Sequence, residues 1–195
     1  RRVAAKLTES RLSFTSLDPE GFAPLVAEKK AAAAKQGITT HTLSNGLHLA
    51  LLPDHRVPLI HFQAAARAGL PSETPENNGL NQLFASTLPK GTTSRSADEI
   101  ATALESLGAS ISASAGNNAL LIQAAGLSVD TLPILEIFAD VILHPTFPSE
   151  AIAREKASQL AALEEALADP LHRCCAQVRS THYSATGYGL DSLGT

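Results

Sequence analysis

The sequence predicts an α+β domain, an antiparallel β-sheet with helices packed on it. Strands come first, and hairpins interleaved with helices follow, which is the pattern of an antiparallel sheet covered by helices. Asn45-Gly46 divides two alternating runs, a strong short-range hairpin signal, and Asn117-Asn118 sits at the tip of a second hairpin. Apolar residues at every third or fourth position mark helices through the second half of the chain.

Each element has a local cause. "SRLSFTSLDPEG" reads as a strand and loop, with Leu12, Phe14 and Leu17 among small polar residues and a stop at Pro19 and Gly21. "AEKKAAAAKQG", closed by Gly37, is either a short exposed helix or a linker, and the lack of an apolar stripe favours the linker. We therefore place a domain boundary near Ile38, with a strand, loop and linker in residues 1–37 and one α+β domain over 38–195, its truncation at the C-terminus left open. "ITTHTLSNGLHLALLPD" is a hairpin whose turn should be type I′, with Asn45 and Gly46 as its two central residues. "PLIHFQAAARAG" is a third strand. "GLNQLFASTLPKG" is a short helix ended by Pro89 and Gly91. Ser96-Ala-Asp-Glu99 is a capping box that opens a helix with Ile100, Leu104 and Leu107 on one face, ended by Gly108. In "ASISASAGNNALLIQAAGL", Ile111, Ala113 and Ala115 face one way and Ser110, Ser112 and Ser114 the other. A helix from about Asp130 to His144 should bury Leu132, Leu135, Phe138 and Ile142 before Pro145 and Pro148 break it. A long helix from Ser149 to Ala168 should turn Ile152, Leu160, Leu163 and Leu167 inward. Pro170 marks a joint before a last helix that reaches Tyr183.

Composition narrows the function classes. A chain of 195 residues fits one domain or one domain with an appendage, and 44% hydrophobic content is ordinary for a globular fold. A net charge of −4 and 4% aromatic residues argue against a nucleic-acid partner. No apolar run approaches the roughly 20 residues a membrane span needs. The chain has no Met, so we read it as a processed or excised piece. Its compartment stays open between bacterial periplasm and cytoplasm. Cys174 and Cys175 are helical neighbours pointing about 100° apart, which disfavours a disulfide between them. Their spacing from His172 and His182 fits no usual zinc pattern, so buried or half-buried thiols are expected.

"TLSNGLHLALLPD", "KGTTSRSADEIATALESLGASISAS", "LEIFADVILHPTFPSEAIAREK", "ADP" and "GYGLDSLGT" occur in an order that resembles the pitrilysin/insulinase family of zinc metallopeptidases. The resemblance runs from about Thr42 to Thr195 and implies a metallopeptidase-like α+β domain. The family's signature is H-x-x-E-H, two zinc ligands and a general base on one helix. Anchored on Gly79-Leu80 and Lys90-Gly91-Thr92, the first His falls on Gln82, the Glu on Ala85 and the second His on Ser86. The distal Glu ligand falls at Ala161 or Ala162, and Glu164 and Glu165 belong to a solvated helix face. The resemblance thus implies a degenerate domain with no catalytic residue and no metal of its own. The resemblance further implies the start of the second half of a tandem peptidase, with residues 1–37 as the tail of the preceding domain plus linker, and zinc in a partner half, either the preceding half of the same chain or a separate catalytic subunit. The two halves together would enclose a peptide substrate.

The edge strand Ser110, Ile111, Ser112, Ala113 and Ser114 aligns with the strand that pairs with substrate backbone in active family domains. Strand addition uses only main-chain groups, so it could outlast the zinc site; an ordinary covered edge competes with that reading. His41, His48, His55 and His61 read as surface or sheet-face residues. His144 sits at a helix C-terminus, where a cation is favoured. Arg67 and Arg95 could meet a peptide carboxylate, with solvated surface as the default. Two other functions stand beside the domain of a zinc metalloendopeptidase. One is an interaction or structural subunit unrelated to proteolysis, as respiratory-complex core proteins resemble this family. The other is a Cys174-dependent enzyme, which lacks a visible oxyanion loop or orienting acid.

Overall fold

The computed structural model describes residues 37–183 and 187–194. The strand read at "SRLSFTSLDPEG" and most of the linker lie outside the described residues. Contacts divide the chain into two units, at His55 and Arg56, which are described separately.

In the first unit, β1 (Thr39–Thr42) and β2 (His48–Leu51) form an antiparallel hairpin with Thr42 opposite His48. Its turn differs from the expected type I′. Gly46 N donates to Leu43 O at 2.9 Å, which closes a turn over Ser44 and Asn45. Gly46 alone carries positive φ, at 84°; Asn45 does not. The connection is a three-residue loop, a turn followed by a left-handed glycine. The physical reason is cost: Asn at positive φ is tolerated, but Gly in that region is free, so one left-handed residue is placed on Gly.

In the second unit, β3 (Leu59–Arg67), β4 (Ser110–Ala115) and β5 (Ala119–Leu127) form an antiparallel sheet of order β3-β5-β4. Among the described residues five α-helices complete the unit: α1 (Leu80–Thr87) and α2 (Ala97–Ser106) lie between β3 and β4 in the chain, and α3 (Thr131–Leu143), α4 (Ser149–Ala168) and α5 (Pro170–His182) come after β5. Strand alternation builds the core face. Phe62 and Ile111 flank Ala124, and Ala64 and Ala113 flank Ile122. Leu120, Ile122 and Ala124 are buried against Leu88, Ile100, Leu104, Ile134 and Val141 from the helical layer. Phe62 stacks on Phe138 with ring centroids 5.8 Å apart. The opposite sheet face is mixed: Ser110, Ser112 and Ser114 along β4 are exposed, and they stand beside the half-buried Ala125, Gln123 and Leu121 of β5.

The capping box at α2 forms as expected. Ser96 Oγ accepts from Glu99 N at 3.3 Å, and Glu99 Oε2 accepts from Ser96 N at 2.7 Å. Two helix faces differ from expectation. α3 buries Ile134, Ile137, Phe138 and Val141, while Leu132 is 71% exposed and Leu135 is 39% exposed. "TLPILEIFADVIL" is apolar almost all round, so periodicity offers two stripes, and contact with Gly126 on β5 selects the one containing Ile134. α4 buries only Ala151 fully; Leu160 and Leu167 are each 49% exposed, and Ile152 and Leu163 are half-buried. Cys174 and Cys175 are free and exposed, not buried, because α5 has no fully buried residue.

Candidate functional site

The segment that could carry chemistry is α1 and what surrounds it. Its N-terminus has no Ser, Thr or Asn side-chain cap; Gly79 holds the cap position at φ 87°. The orphan amide groups of the first turn go instead to the carboxylate of Glu73. Its Oε2 accepts from Gly79 N at 3.0 Å and Asn78 Nδ2 at 2.8 Å, and its Oε1 accepts from Asn81 N at 2.8 Å and Asn81 Nδ2 at 2.9 Å. Burial pushes this carboxyl up, but the hydrogen bonds from Asn81, Gly79 and Asn78 outweigh burial and hold it below the usual carboxylate range. Sequence reading missed Glu73. The available signal was two acids, Glu73 and Glu76, ahead of a helix whose positive end favours an anion, with nothing local to choose between them.

Gln82, Ala85 and Ser86 all lie on α1, as the sequence predicted, but they do not form a ligand cluster. Ala85 is 1% exposed and belongs to the hydrophobic core, near Ala113 of β4. Ser86 Oγ donates to Leu83 O at 3.0 Å, within its own helix. Gln82 is half-buried. α4 lies against α1 through Gln159, whose Nε2 donates to Gly79 O at 3.0 Å and Leu193 O at 2.7 Å, and Lys90 pairs with Glu155 at 3.0 Å. Continuing the row of Glu155 and Gln159 by four residues reaches Leu163, not Ala161 or Ala162, which are exposed like Glu164 and Glu165. A cleft of about 380 Å³ opens here, with Leu80 and Leu83 on one side and Leu160 and Leu163 on the other.

This donor set does not fit zinc. Ala and Leu offer no donor atom, and the hydroxyl and amides of Ser86, Gln82 and Gln159 are poor zinc ligands beside His, Cys or carboxylate. Among the described residues no three His, Cys, Asp or Glu side chains come together as a metal site.

The charged residues around the site serve packing. Arg95, considered for a peptide carboxylate, is committed internally, with Nη1 donating to Asp140 Oδ2 at 2.7 Å. The same carboxylate accepts from Ser94 Oγ at 2.6 Å and Thr92 Oγ1 at 2.7 Å. Burial pushes Asp140 up, yet the bonds from Ser94, Thr92, Arg95 and His144 bring it down to about 2. His144 accordingly ends α3 with Nδ1 3.3 Å from Asp140 Oδ1. His172 Nε2 and Arg179 Nη2 each reach Asp191 Oδ2 at 2.9 Å, which fastens the segment after α5 to that helix. His172 is thus engaged by an acid rather than by a cysteine. Arg67 is exposed at the end of β3. The candidate edge strand is β4 without its last residue: Ser110, Ser112 and Ser114 are exposed and Ile111 and Ala113 half-buried. Among the described residues β4 pairs with β5 alone, so its other edge carries no strand.

Likenesses in sequence and in fold agree with the sheet, the α1 frame and the order of elements. Residues 65–195 match the sequence model of the insulinase family, peptidase family M16. The chain belongs to that family. It is 27% identical over 160 residues to an uncharacterized zinc protease of Bacillus subtilis, covering 80% of this chain and 37% of that protein. It is 27% identical over 155 residues to the mitochondrial-processing peptidase subunit beta of Neurospora crassa, covering 80% of this chain and 32% of that protein. The chain thus spans about a third of the length of these relatives. A crystal structure of a peptidase M16 inactive domain from Pseudomonas fluorescens superposes with a TM-score of 0.76 at 24% identity, over 80% of this chain and 38% of that one, and shares its fold. No helix among the described residues is long and apolar enough to cross a membrane.

Proposed function

We propose that this chain supplies a non-catalytic domain to a zinc metalloendopeptidase and helps to form its substrate chamber. The carrying observation is Ala85. It occupies the position of the family's general base and is sealed into the hydrophobic core at 1% exposure. The position has been absorbed into packing, and Gln82 and Ser86 beside it offer poor ligands. The likeness to a solved domain titled inactive supports the same reading. Zinc is then held by a partner half carrying H-x-x-E-H, and the relative named as a beta subunit supports a paired arrangement. Within the chamber the free edge of β4 can receive an extended peptide through main-chain groups alone, which survives loss of the metal.

The test is to express the full-length protein with and without residues 38–195 and compare peptide cleavage and zinc content. Loss of cleavage with zinc retained supports the chamber role. Cleavage at the full rate without these residues would assign the chain to the interaction or structural role instead.

A further inference from the structure

The chain contains two Asn-Gly dipeptides, Asn45-Gly46 and Asn78-Gly79, in opposite environments. Asn-Gly is the dipeptide most open to attack of a backbone nitrogen on a side-chain amide, because Gly has no Cβ to shield that nitrogen. We propose that Asn45 is a site of spontaneous chemical modification, conversion of its amide to aspartate and isoaspartate, and that the fold suppresses the same reaction at Asn78.

The reaction balances with water as the only co-reactant. Gly46 N bonds to Asn45 Cγ, the Cγ–Nδ2 bond breaks, and ammonia leaves with the proton that Gly46 N gives up. Water then opens the resulting five-membered imide at either carbonyl. One route yields aspartate; the other yields isoaspartate, with an extra carbon in the main chain.

The two sites differ in what must be released before the nitrogen can reach the amide carbon. At the hairpin tip two exposed hydrogen bonds are in the way: Gly46 N to Leu43 O at 2.9 Å, and Leu47 N to Asn45 Oδ1 at 3.1 Å. Nothing lies within 4 Å of where a Cβ on Gly46 would stand, so the loop has room to rearrange. At Asn78 the leaving nitrogen is clamped by two acceptors, Glu73 Oε2 at 2.8 Å and Asp191 O at 2.8 Å. The attacking nitrogen is held by Glu73 Oε2 at 3.0 Å. Gly79 is buried, and Gln159 Nε2, Gly194 Cα and Leu193 O all stand within 3 Å of a Cβ placed on it. Opening Asn78 therefore means breaking the N-terminus of α1, whereas opening Asn45 means only fraying a turn.

In the product the hairpin gains a negative charge, and the isoaspartate form lengthens the loop backbone and breaks the fit between β1 and β2. The experiment incubates the full 195-residue chain in mildly alkaline buffer, with and without denaturant, and follows each Asn by peptide mass spectrometry and isoaspartyl methyl transfer. In native buffer the Asn45 peptide should convert to a mixture of acid forms while the Asn78 peptide stays an amide. In denaturant both should convert at comparable rates. Equal native rates at the two sites, or retention of the Asn45 amide in native buffer, overturns the proposal.

Discussion

At the scale of single residues, a few carboxylates each collect several hydrogen-bond donors and tie local segments together. Asp140 is the clearest case. Its folded carboxyl is lowered to about 2 from an ordinary value of 3.8, so it favours folding above the unfolded value and loses that contribution as pH falls from about 4 through 2. The Asp140→Asn variant should lose that acid-limb dependence. It should also be destabilised at neutral pH by on the order of 1–2 kcal/mol, discounted because the Arg95 partner is a third exposed. Urea denaturation at a series of pH values checks both, and an unchanged acid limb would remove Asp140 from the account. Gly46 makes a different prediction. Its φ of 84° is a region that β-branched residues avoid, although no neighbour would clash with a side chain. Gly46→Val should therefore weaken the hairpin through the backbone alone, by about 1 kcal/mol or more. Amide exchange along β1 and β2 measures it, and unchanged protection would contradict the left-handed assignment.

At the scale of elements, the packed stripe of α3 separates what sequence periodicity can reveal from what it cannot. Ile134→Ala should cost about 2–5 kcal/mol, because Ile134 is 0% exposed in the core. Leu132→Ala should cost far less, since Leu132 is 71% exposed. Equal losses in thermal denaturation would return the helix to the stripe that periodicity suggested. Elements with a local cause were legible: the Ser96–Glu99 capping box, the Asn45-Gly46 hairpin and the Pro-bounded ends of α4 and α5 all form where the residues indicate. Features set by partners distant in sequence were not. The ring of donors around Asp140 joins residues 48, 46 and 45 positions apart, and no short motif announces it. Glu73 differs in that its partners, Asn78, Gly79 and Asn81, lie five to eight residues on, but its role depends on a chain reversal over the start of α1 that no turn motif marks. α4 misled because amphipathic spacing marks one face of a helix without saying how much of that face finds a partner. The candidate site was legible as positions, Gln82, Ala85 and Ser86 on one short helix, but burial of Ala85 was not.

At the scale of the whole molecule, that burial predicts the outcome of rebuilding the lost motif. Consider a chain carrying Gln82→His, Ala85→Glu and Ser86→His together. The two His side chains would lie one turn apart on α1, as a zinc pair requires. The distal ligand would still be missing, because its place on α4 is read at Ala161 or Ala162, and a site with two protein ligands holds zinc weakly. Glu at position 85 has a second cost. It replaces a methyl group that is 1% exposed among Leu88, Ile100 and Ala113, so its carboxylate must either lose hydration or push the helix off the sheet. The triple variant should therefore melt lower than the unmodified chain, retain less than stoichiometric zinc after dialysis, and cleave no peptide. Calorimetry, metal analysis and a quenched-peptide assay read the three effects separately. The Gln82→His, Ser86→His double variant isolates the core penalty, because it leaves Ala85 in place and should keep most of the lost stability. A triple variant that melts unchanged and holds one zinc per chain would mean that the core can yield position 85 to a functional group. The domain would then be an idle catalyst, and the proposed role as a wall of a substrate chamber would fall.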